Sequence, residues 1–464
     1  VESRAFFIAE ADMKNILCIG AGYVGGPTMA VIAKHCPEHR VEIVDINAER
    51  IAAWQSDRLP IFEPGLAETI QLVRGRNLFF YTDVEDRIDR ADIVFVSVNT
   101  PTKTFGQGAG RAADLQYWEQ TARLIARRST RPKIVVEKST LPVRTAEAME
   151  AILSSSGGRV HFEVVSNPEF LAEGSALRDL EHPDRVLIGA HSTPTGRQAL
   201  QELVDIYAHW VPRERILTTD LWSSELAKLA ANAMLAQRVS SINAVAALCE
   251  RTGANIAEVS RAVGMDHRIG AEFLRAGLGF GGSCFRKDIL HLAYLCESNG
   301  LPEAAHYWEE VLRMNEDQKE RFVKTMVHTM FNTLAGKRIA VLGFAFKPGT
   351  SDTRDSPALA VCRLLLDERA RLAISDPRAL ASAQEDLKGY PECSFTADPY
   401  EAARGAHAIA LLTAWPEYRD LDFRRIFDAM EKPAFLFDGW NFLDHAALAK
   451  IGFHVYRVGA AAAD

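Results

Sequence analysis

The chain has 464 residues, 48% hydrophobic and 25% charged, an ordinary balance for a globular protein with length for two or three domains, each with a sizeable core. Its formal net charge of −8 argues against a nucleic-acid partner, and an anionic substrate would need local basic residues to overcome the general field. No stretch is long and apolar enough to span a bilayer; residues 1–10 lack the apolar region and cleavage site of a secretion signal and read as a dispensable extension. The seven scattered cysteines (Cys18, Cys36, Cys249, Cys284, Cys296, Cys362, Cys393) lack metal-ligand spacing, so no metal is expected and a reducing cytoplasm is.

The first element is a short buried strand over residues 15–19. It runs into Gly20-Ala21-Gly22-Tyr23-Val24-Gly25 and then an apolar stretch with helical spacing through Met29, Ala30, Val31 and Ile32. Strand, turn and helix in that order suit a dinucleotide: Gly20 for the tight turn, Gly22 for approach to a pyrophosphate, Gly25 for helix-on-strand packing. A second strand over residues 41–44 ends on Asp45, where a carboxylate hydrogen-bonds a ribose 2′-hydroxyl and repels a 2′-phosphate, so NAD is expected over NADP. The α/β alternation continues with strands at residues 91–98 and 133–138. They end in the polar turns Asn99-Thr100-Pro101-Thr102 and Ser139-Thr140, at the sheet edge where ligands bind.

From about Leu221 to Arg251 there is neither Pro nor Gly, and the dense Ala and Leu predict one long helix joining two domains. Lys228 and Asn232 stand four apart on one face of it. Farther on, Gly279-Phe280-Gly281-Gly282-Ser283-Cys284-Phe285-Arg286-Lys287-Asp288 presents a cysteine between glycines and charges rather than among Leu, Ile and Val. That setting suits a nucleophilic thiolate able to form a thioester. A second α/β region follows Phe331. A strand at residues 336–343 opens onto Phe344-Ala345-Phe346-Lys347-Pro348-Gly349, and further parallel strands lie at residues 372–377 and 408–413. Having no GxGxxG, this region should bind something other than a dinucleotide, with Lys347 able to hold a phosphate as a point charge. No short repeat or low-complexity segment appears apart from an alanine-rich tail at residues 459–463.

The expected fold is therefore α/β: two Rossmann-like parallel-sheet domains joined by a long central helix, with a cleft where Cys284 meets a substrate. The boundaries are an NAD-binding domain over 12–218, a central helical domain with the long helix and the cysteine loop over 219–330 and a second Rossmann-like domain, for a ligand other than a dinucleotide, over 331–464.

From about Lys14 to Phe453 the chain resembles the nucleotide-sugar 6-dehydrogenases, most closely those acting on UDP-glucose. The resemblance is carried by residues 20–27, 97–102, Ser166-Asn167-Pro168-Glu169-Phe170-Leu171-Ala172-Glu173-Gly174, Lys228-Leu229-Ala230-Ala231-Asn232-Ala233, 279–288 and 343–347. It implies NAD-dependent four-electron oxidation of UDP-glucose to UDP-glucuronate, and assigns the residues as follows. Cys284 matches the nucleophile that captures the aldehyde and carries a thioester, Lys228 the catalytic lysine, and Asp288 the acid ordering it and the hydrolytic water. Glu169 and Thr140 match residues around that water, and Asn232 an oxyanion-stabilising amide. Phe170, Leu171 and Glu173 match the substrate and cofactor loop; Phe273, Arg275 and Gly281 line the nucleotide-sugar, and Phe346 and Lys347 meet its diphosphate. Arg268 matches an arginine reaching across a dimer interface. The cofactor set comprises Gly20, Gly22, Tyr23, Val24, Gly25, Asp45, Arg50, Val98, Thr100, Thr102, Ser139, Thr140, Glu173 and Arg354.

The family usually has Asp-Gly-Arg before its final helix, whereas this chain reads Asp438-Gly439-Trp440. An indole replacing a guanidinium offers a stacking surface and a possible shift from UDP-glucose towards dTDP-glucose. A sensor that binds NAD and nucleotide-sugar without turnover would lack Cys284, Lys228 or Asp288, and all are present. The resemblance further implies a cytoplasmic homodimer or a higher multiple such as a hexamer, with no membrane partner.

Overall fold

The computed structural model describes residues 13–155 and 160–460; the opening extension and residues 461–463 of the tail lie outside them. The chain divides after Ala230 into two units, and the division falls inside the continuous helix Leu221–Thr252. That helix matches its expectation to within a residue, since nothing in its 32 residues removes a backbone donor or relaxes the backbone.

The first unit holds an eight-stranded sheet built from β1 (Asn15–Ile19), β2 (Arg40–Val44), β3 (Leu78–Tyr81), β4 (Ile93–Val96), β5 (Lys133–Glu137), β6 (Phe162–Ser166), β7 (Val186–Gly189) and β8 (Ile216–Thr219). Its order is β3-β2-β1-β4-β5-β6-β7-β8. The sheet is not wholly parallel: β7 meets β6 antiparallel, and β8 follows β7. The second unit holds a six-stranded sheet of β9 (Arg338–Leu342), β10 (Arg371–Ser375), β11 (Cys393–Phe395), β12 (Ala408–Leu411), β13 (Phe435–Asp438) and β14 (His454–Arg457), in the order β11-β10-β9-β12-β13-β14. The two sheets thus share the 3-2-1-4-5-6 order of the doubly wound dinucleotide fold.

The strands are nearly continuous apolar runs because both faces of each sheet are covered. Along β1, Ile16 and Cys18 join one core while Leu17 and Ile19 join the other. In the second unit Ile339 and Val341 face one core, and Ala340 and Leu342 the other.

The correspondence extends to the turn after the first strand of each sheet. The Gly20 amide donates to the Val44 carbonyl at 2.8 Å, and the Gly343 amide to that of Ser375 at 2.8 Å. Both glycines have positive φ, 112° and 92°. A Cβ on Gly20 would lie 2.2 Å from the Ser97 carbonyl oxygen, and one on Gly343 2.4 Å from Cβ of Thr413. In each sheet a carboxylate just past the second strand holds the turn. Asp45 Oδ2 accepts the Ala21 N–H at 2.9 Å, and Asp376 Oδ2 accepts those of Phe344 and Ala345 at 2.6 and 3.0 Å. The carboxylates differ in what else they bind. Asp376 also takes the amides of Arg378 and Ala379 and the Trp415 indole N–H, at 2.8, 2.6 and 3.0 Å, and is 2% exposed. No room is left on it for a ribose.

Asp376→Ala would take the acceptor from five donors, four of them buried. At roughly 1–3 kcal/mol for each such group, with partial rescue by water, the second unit should lose about 3 kcal/mol or more. Urea unfolding should show this as a clearly lower midpoint, and an unchanged midpoint would refute the role given to this carboxylate.

Candidate active site

The helix after β1, Gly25–His35, has no side-chain cap and no acidic residue in its first turn, so its first amides and the positive end of its dipole are left for an anion. A Cβ on Gly22 would meet nothing within 4 Å, whereas one on Gly25 would lie 2.1 Å from the Gly20 carbonyl oxygen. Open backbone at one glycine and close packing at the other is what a pyrophosphate-binding turn requires. Asp45 Oδ1 accepts the Asn47 N–H at 2.9 Å, and Oδ2, besides the Ala21 amide, accepts Arg50 Nη1 at 3.0 Å. A carboxylate has about four lone-pair positions, so one remains for a ribose hydroxyl. These residues fit NAD.

The other cofactor candidates converge through hydrogen bonds. Ser139 Oγ donates to the Val98 carbonyl at 2.7 Å and Thr100 Oγ1 to that of Thr140 at 3.1 Å, tying the turns after β4 and β5 together. Thr102 forms a bridge with Ala113. Tyr23 donates its hydroxyl to Glu63 at 2.7 Å, and the same buried carboxylate accepts the amides of Gly174 and Ala176, the latter at 2.9 Å. Glu63, which sequence reasoning missed, therefore fixes the Tyr23-Val24 turn relative to the loop of Glu173.

Beyond the turns lies a buried ion pair, Lys228 Nζ to Glu169 Oε1 at 3.4 Å, with side chains 5% and 6% exposed. Glu169 Oε2 accepts the Leu171 N–H at 2.8 Å, and Lys228 stands 5.2 Å from the Phe170 ring centre. Next to the pair is Lys138, whose ammonium donates to Asn167 Oδ1 at 3.1 Å and Tyr207 Oη at 3.4 Å. Burial pushes the Lys138 amine down to about 8, with Glu169 partly opposing and Lys228 adding to the effect.

In the second unit Cys284 is exposed and caps the helix Phe285–Ser298, with Ser283 Oγ 3.6 Å from its sulfur. A thiolate there gains from the helix dipole. The loop before it is held from three sides. The Asn315 side chain pairs with both backbone groups of Phe280, at 2.8 and 3.0 Å. A Cβ on Gly281 would lie 2.4 Å from the Asp355 carbonyl oxygen, and one on Gly282 2.9 Å from the Phe346 ring. The glycines let the loop lie against these groups. Asn315 was not foreseen, although its spacing from Val311, Leu312 and Phe322 puts an amide on the buried face of the helix Pro302–Thr329. One turn past Cys284, the fully buried Asp288 accepts Asn232 Nδ2 on Oδ2 at 2.6 Å and has Lys287 Nζ 3.4 Å from Oδ1.

The remaining candidates sit nearer the surface. Arg268 pairs with Asp266 and Arg354 with Asp352, each at 2.6 Å, and Phe273 is 42% exposed. Lys347 Nζ stands 5.5 Å from the Phe346 ring centre. Trp440 is half-buried at the edge of the second unit's core. Its indole N–H donates to the Leu412 carbonyl at 2.8 Å, and its ring lies so close over Gly277 that a Cβ there would come within 2.4 Å. Its carbonyl accepts Arg275 Nε and Nη2 at 3.0 and 2.7 Å. The ring fills the edge of the core because Gly277 leaves space for it.

Three family models cover most of the chain: the NAD binding domain of the UDP-glucose/GDP-mannose dehydrogenase family over residues 14–211, its central domain over 222–317 and its UDP binding domain over 340–445. The chain is 57% identical to UDP-glucose 6-dehydrogenase 5 of Oryza sativa subsp. japonica over 466 aligned positions, spanning 96% of this chain and 97% of that protein. Identity to UDP-glucose 6-dehydrogenase 1 of Glycine max is also 57%, with the same coverage. A UDP-glucose dehydrogenase structure from Pyrobaculum islandicum superposes with a TM-score of 0.85 at 34% identity, covering 100% of both chains. No helix among the described residues is long and apolar enough to cross a membrane. The chain belongs to the UDP-glucose/GDP-mannose dehydrogenase family.

Proposed function

We propose that this chain is an NAD-dependent dehydrogenase that oxidises C6 of UDP-glucose twice, from alcohol to the carboxylate of UDP-glucuronate, with Cys284 carrying the sugar between oxidations. The observation that carries the reading is the exposed Cys284 at a helix N-terminus, one turn before a buried Asp288 held by Asn232. Relatives at 57% identity that bear the UDP-glucose 6-dehydrogenase name support the substrate.

Bound NAD, held by the Gly20–Gly25 turn with Asp45 and Arg50, supplies the hydride acceptor for each oxidation. Lys228 takes part at the first step as the cation beside the sugar oxygen as the alcohol loses its proton. The Cys284 thiolate then adds to the aldehyde carbon and keeps it from escaping, leaving a hemithioacetal whose oxygen is negative when it loses hydride. Lys228 and Asn232 stabilise that oxygen, a contribution worth ~3 kcal/mol per donor in comparable sites. The resulting thioester is attacked by water positioned by Glu169 and Thr140, with Asp288 ordering that water and Lys228, and the thiolate leaves. Per sugar, one water enters and two hydrides and three protons depart. The Phe170-Leu171 loop, Phe273, Arg275, Gly281, Phe346 and Lys347 bind the nucleotide-sugar in this reading, and a dimer or larger multiple brings Arg268 to a neighbouring site.

Two NADH should form for each UDP-glucuronate, with no free aldehyde, as read by absorbance beside mass spectrometry of the product. A ratio of one with aldehyde released would remove the thioester. The carboxylate at Asp45 should favour NAD over NADP by at least about tenfold in kcat/KM, or roughly 1.4 kcal/mol. Equal efficiencies would place the ribose elsewhere. Cys284→Ser should give a small burst of NADH and then stall with a covalent sugar adduct, because a serine ester at this site lacks the thiolate leaving group. Intact-protein mass detects the adduct, and wild-type turnover by the variant would make Cys284 merely structural.

A further inference from the structure

Strand β5 ends at Glu137 and runs directly into Lys138, Ser139 and Thr140. Lys138 points to Asn167 and Tyr207, whereas Glu137, on the opposite face, is 1% exposed and receives no N–H or hydroxyl on either oxygen. Its polar partner is another acid, Glu225, itself 4% exposed. Glu225 is already engaged: Oε2 accepts the Arg144 N–H at 2.7 Å and Oε1 the Ala146 N–H at 2.9 Å. Those amides open the helix Thr145–Ser154, whose own N-cap residue, Arg144, has φ 71° and offers no side-chain cap. The helix is therefore capped by a carboxylate 79 residues away, three positions before Lys228 on the Leu221–Thr252 helix.

Two carboxyl groups in contact in a buried site cannot both be ionised. Since Glu225 uses its negative oxygens to cap the helix, the proton belongs to Glu137, which can then donate to Glu225. Burial and the Glu225 charge hold the Glu137 carboxyl well above the ordinary carboxylate range. Glu150, the other acid facing it, adds to this and is paired with His191 at 2.8 Å. The nearby Arg144 does not offset them, because its guanidinium turns outward to Glu147 at 2.6 Å and lies 5.3 Å from the Trp222 ring centre.

We propose that Glu137 and Glu225 form a proton-closed latch that positions the segment from Ser139 to Arg144, and Thr140 within it, against the helix bearing Lys228. Both are positioning residues, and the proposed effect on turnover rests on the functional reading above. The sign of the pH dependence follows from the raised pKa of Glu137. The latch contributes fully below the ordinary carboxylate pKa and weakens as pH rises through the folded-state value.

The test compares the full-length wild type with Glu137→Gln, whose amide is a permanent donor, and Glu225→Gln, which has one acceptor oxygen for two amides. Raising pH from about 6 to about 9 should widen the melting-temperature advantage of Glu137→Gln over wild type. Glu225→Gln should lose about tenfold or more in kcat while KM for UDP-glucose stays within about twofold, because a displaced segment misplaces Thr140 and the cofactor turn at Ser139 without removing a contact to the nucleotide-sugar. A melting-temperature difference that stays constant with pH, or wild-type kcat in Glu225→Gln, would overturn the latch. If Glu225→Gln does not fold, the melting comparison alone decides. Failure of the wild type to oxidise UDP-glucose with NAD would sink the functional reading instead, and the melting comparison would still read the latch.

Discussion

A carboxylate just beyond the second strand holds the amides of the turn that ends the first, and both sheets are organised around that contact. It fixes where the chain leaves the sheet, and a glycine with positive φ is required there because a neighbouring strand's exit passes within van der Waals distance. What separates the sheets is how fully the carboxylate is used. Asp45 keeps acceptor capacity at a turn that enters an uncapped helix at once. Asp376 is saturated, and its turn runs on through Phe346 and Lys347 before the helix Pro357–Asp367 begins under its own cap, Ser356. One topology therefore yields a dinucleotide cradle in the first unit and frees the corresponding loop in the second for another ligand.

Around the cysteine the constraint is backbone satisfaction. A loop of glycines has few side chains with which to anchor itself, so its position comes from outside: Asn315 for the polar groups of Phe280, and the Arg354 carbonyl for the Gly282 amide at 2.9 Å. Preorganisation of that kind suits the role proposed for Cys284, bonding one carbon and holding it through the second oxidation. Asp288, tied to Asn232 from one side and beside Lys287 on the other, is the buried charge that this arrangement holds in place.

Much of this was legible in the sequence because local signals agreed with the fold. The β1 turn, Asp45, the spine helix and the cysteine loop each combine a spacing rule with a residue type that has one physical use. The strands that escaped notice, such as β3 and β11, are short and partly exposed, so their apolar pattern is weak. The reversal of β7 depends on pairing across the sheet, which periodicity does not report. Glu63 and Glu225 were hidden for a related reason: each is an ordinary acid in the chain and becomes specific only when it caps amides from 111 and 79 residues away. The packing of Trp440 was not legible because its neighbours in sequence do not reveal Gly277, the residue whose missing side chain makes room for the indole.

The long helix carries buried polar side chains that hold other segments of each unit. Glu225, Lys228 and Asn232 are spaced by three and four residues and so lie along one stripe, rising about 10 Å in all. Each holds a different segment: Glu225 the amides of Arg144 and Ala146, Lys228 the Glu169 carboxylate and Asn232 that of Asp288. Glu225 and Lys228, both in the first unit, stand three residues apart with no Gly or Pro between them. Burial strengthens each contact but makes an unpaired member costly, since a lone carboxylate or ammonium would lose its solvation without compensation. Each of these side chains is therefore held by its partner as firmly as it holds that partner: Lys228 by Glu169 within the first unit, and Asn232 by Asp288 within the second.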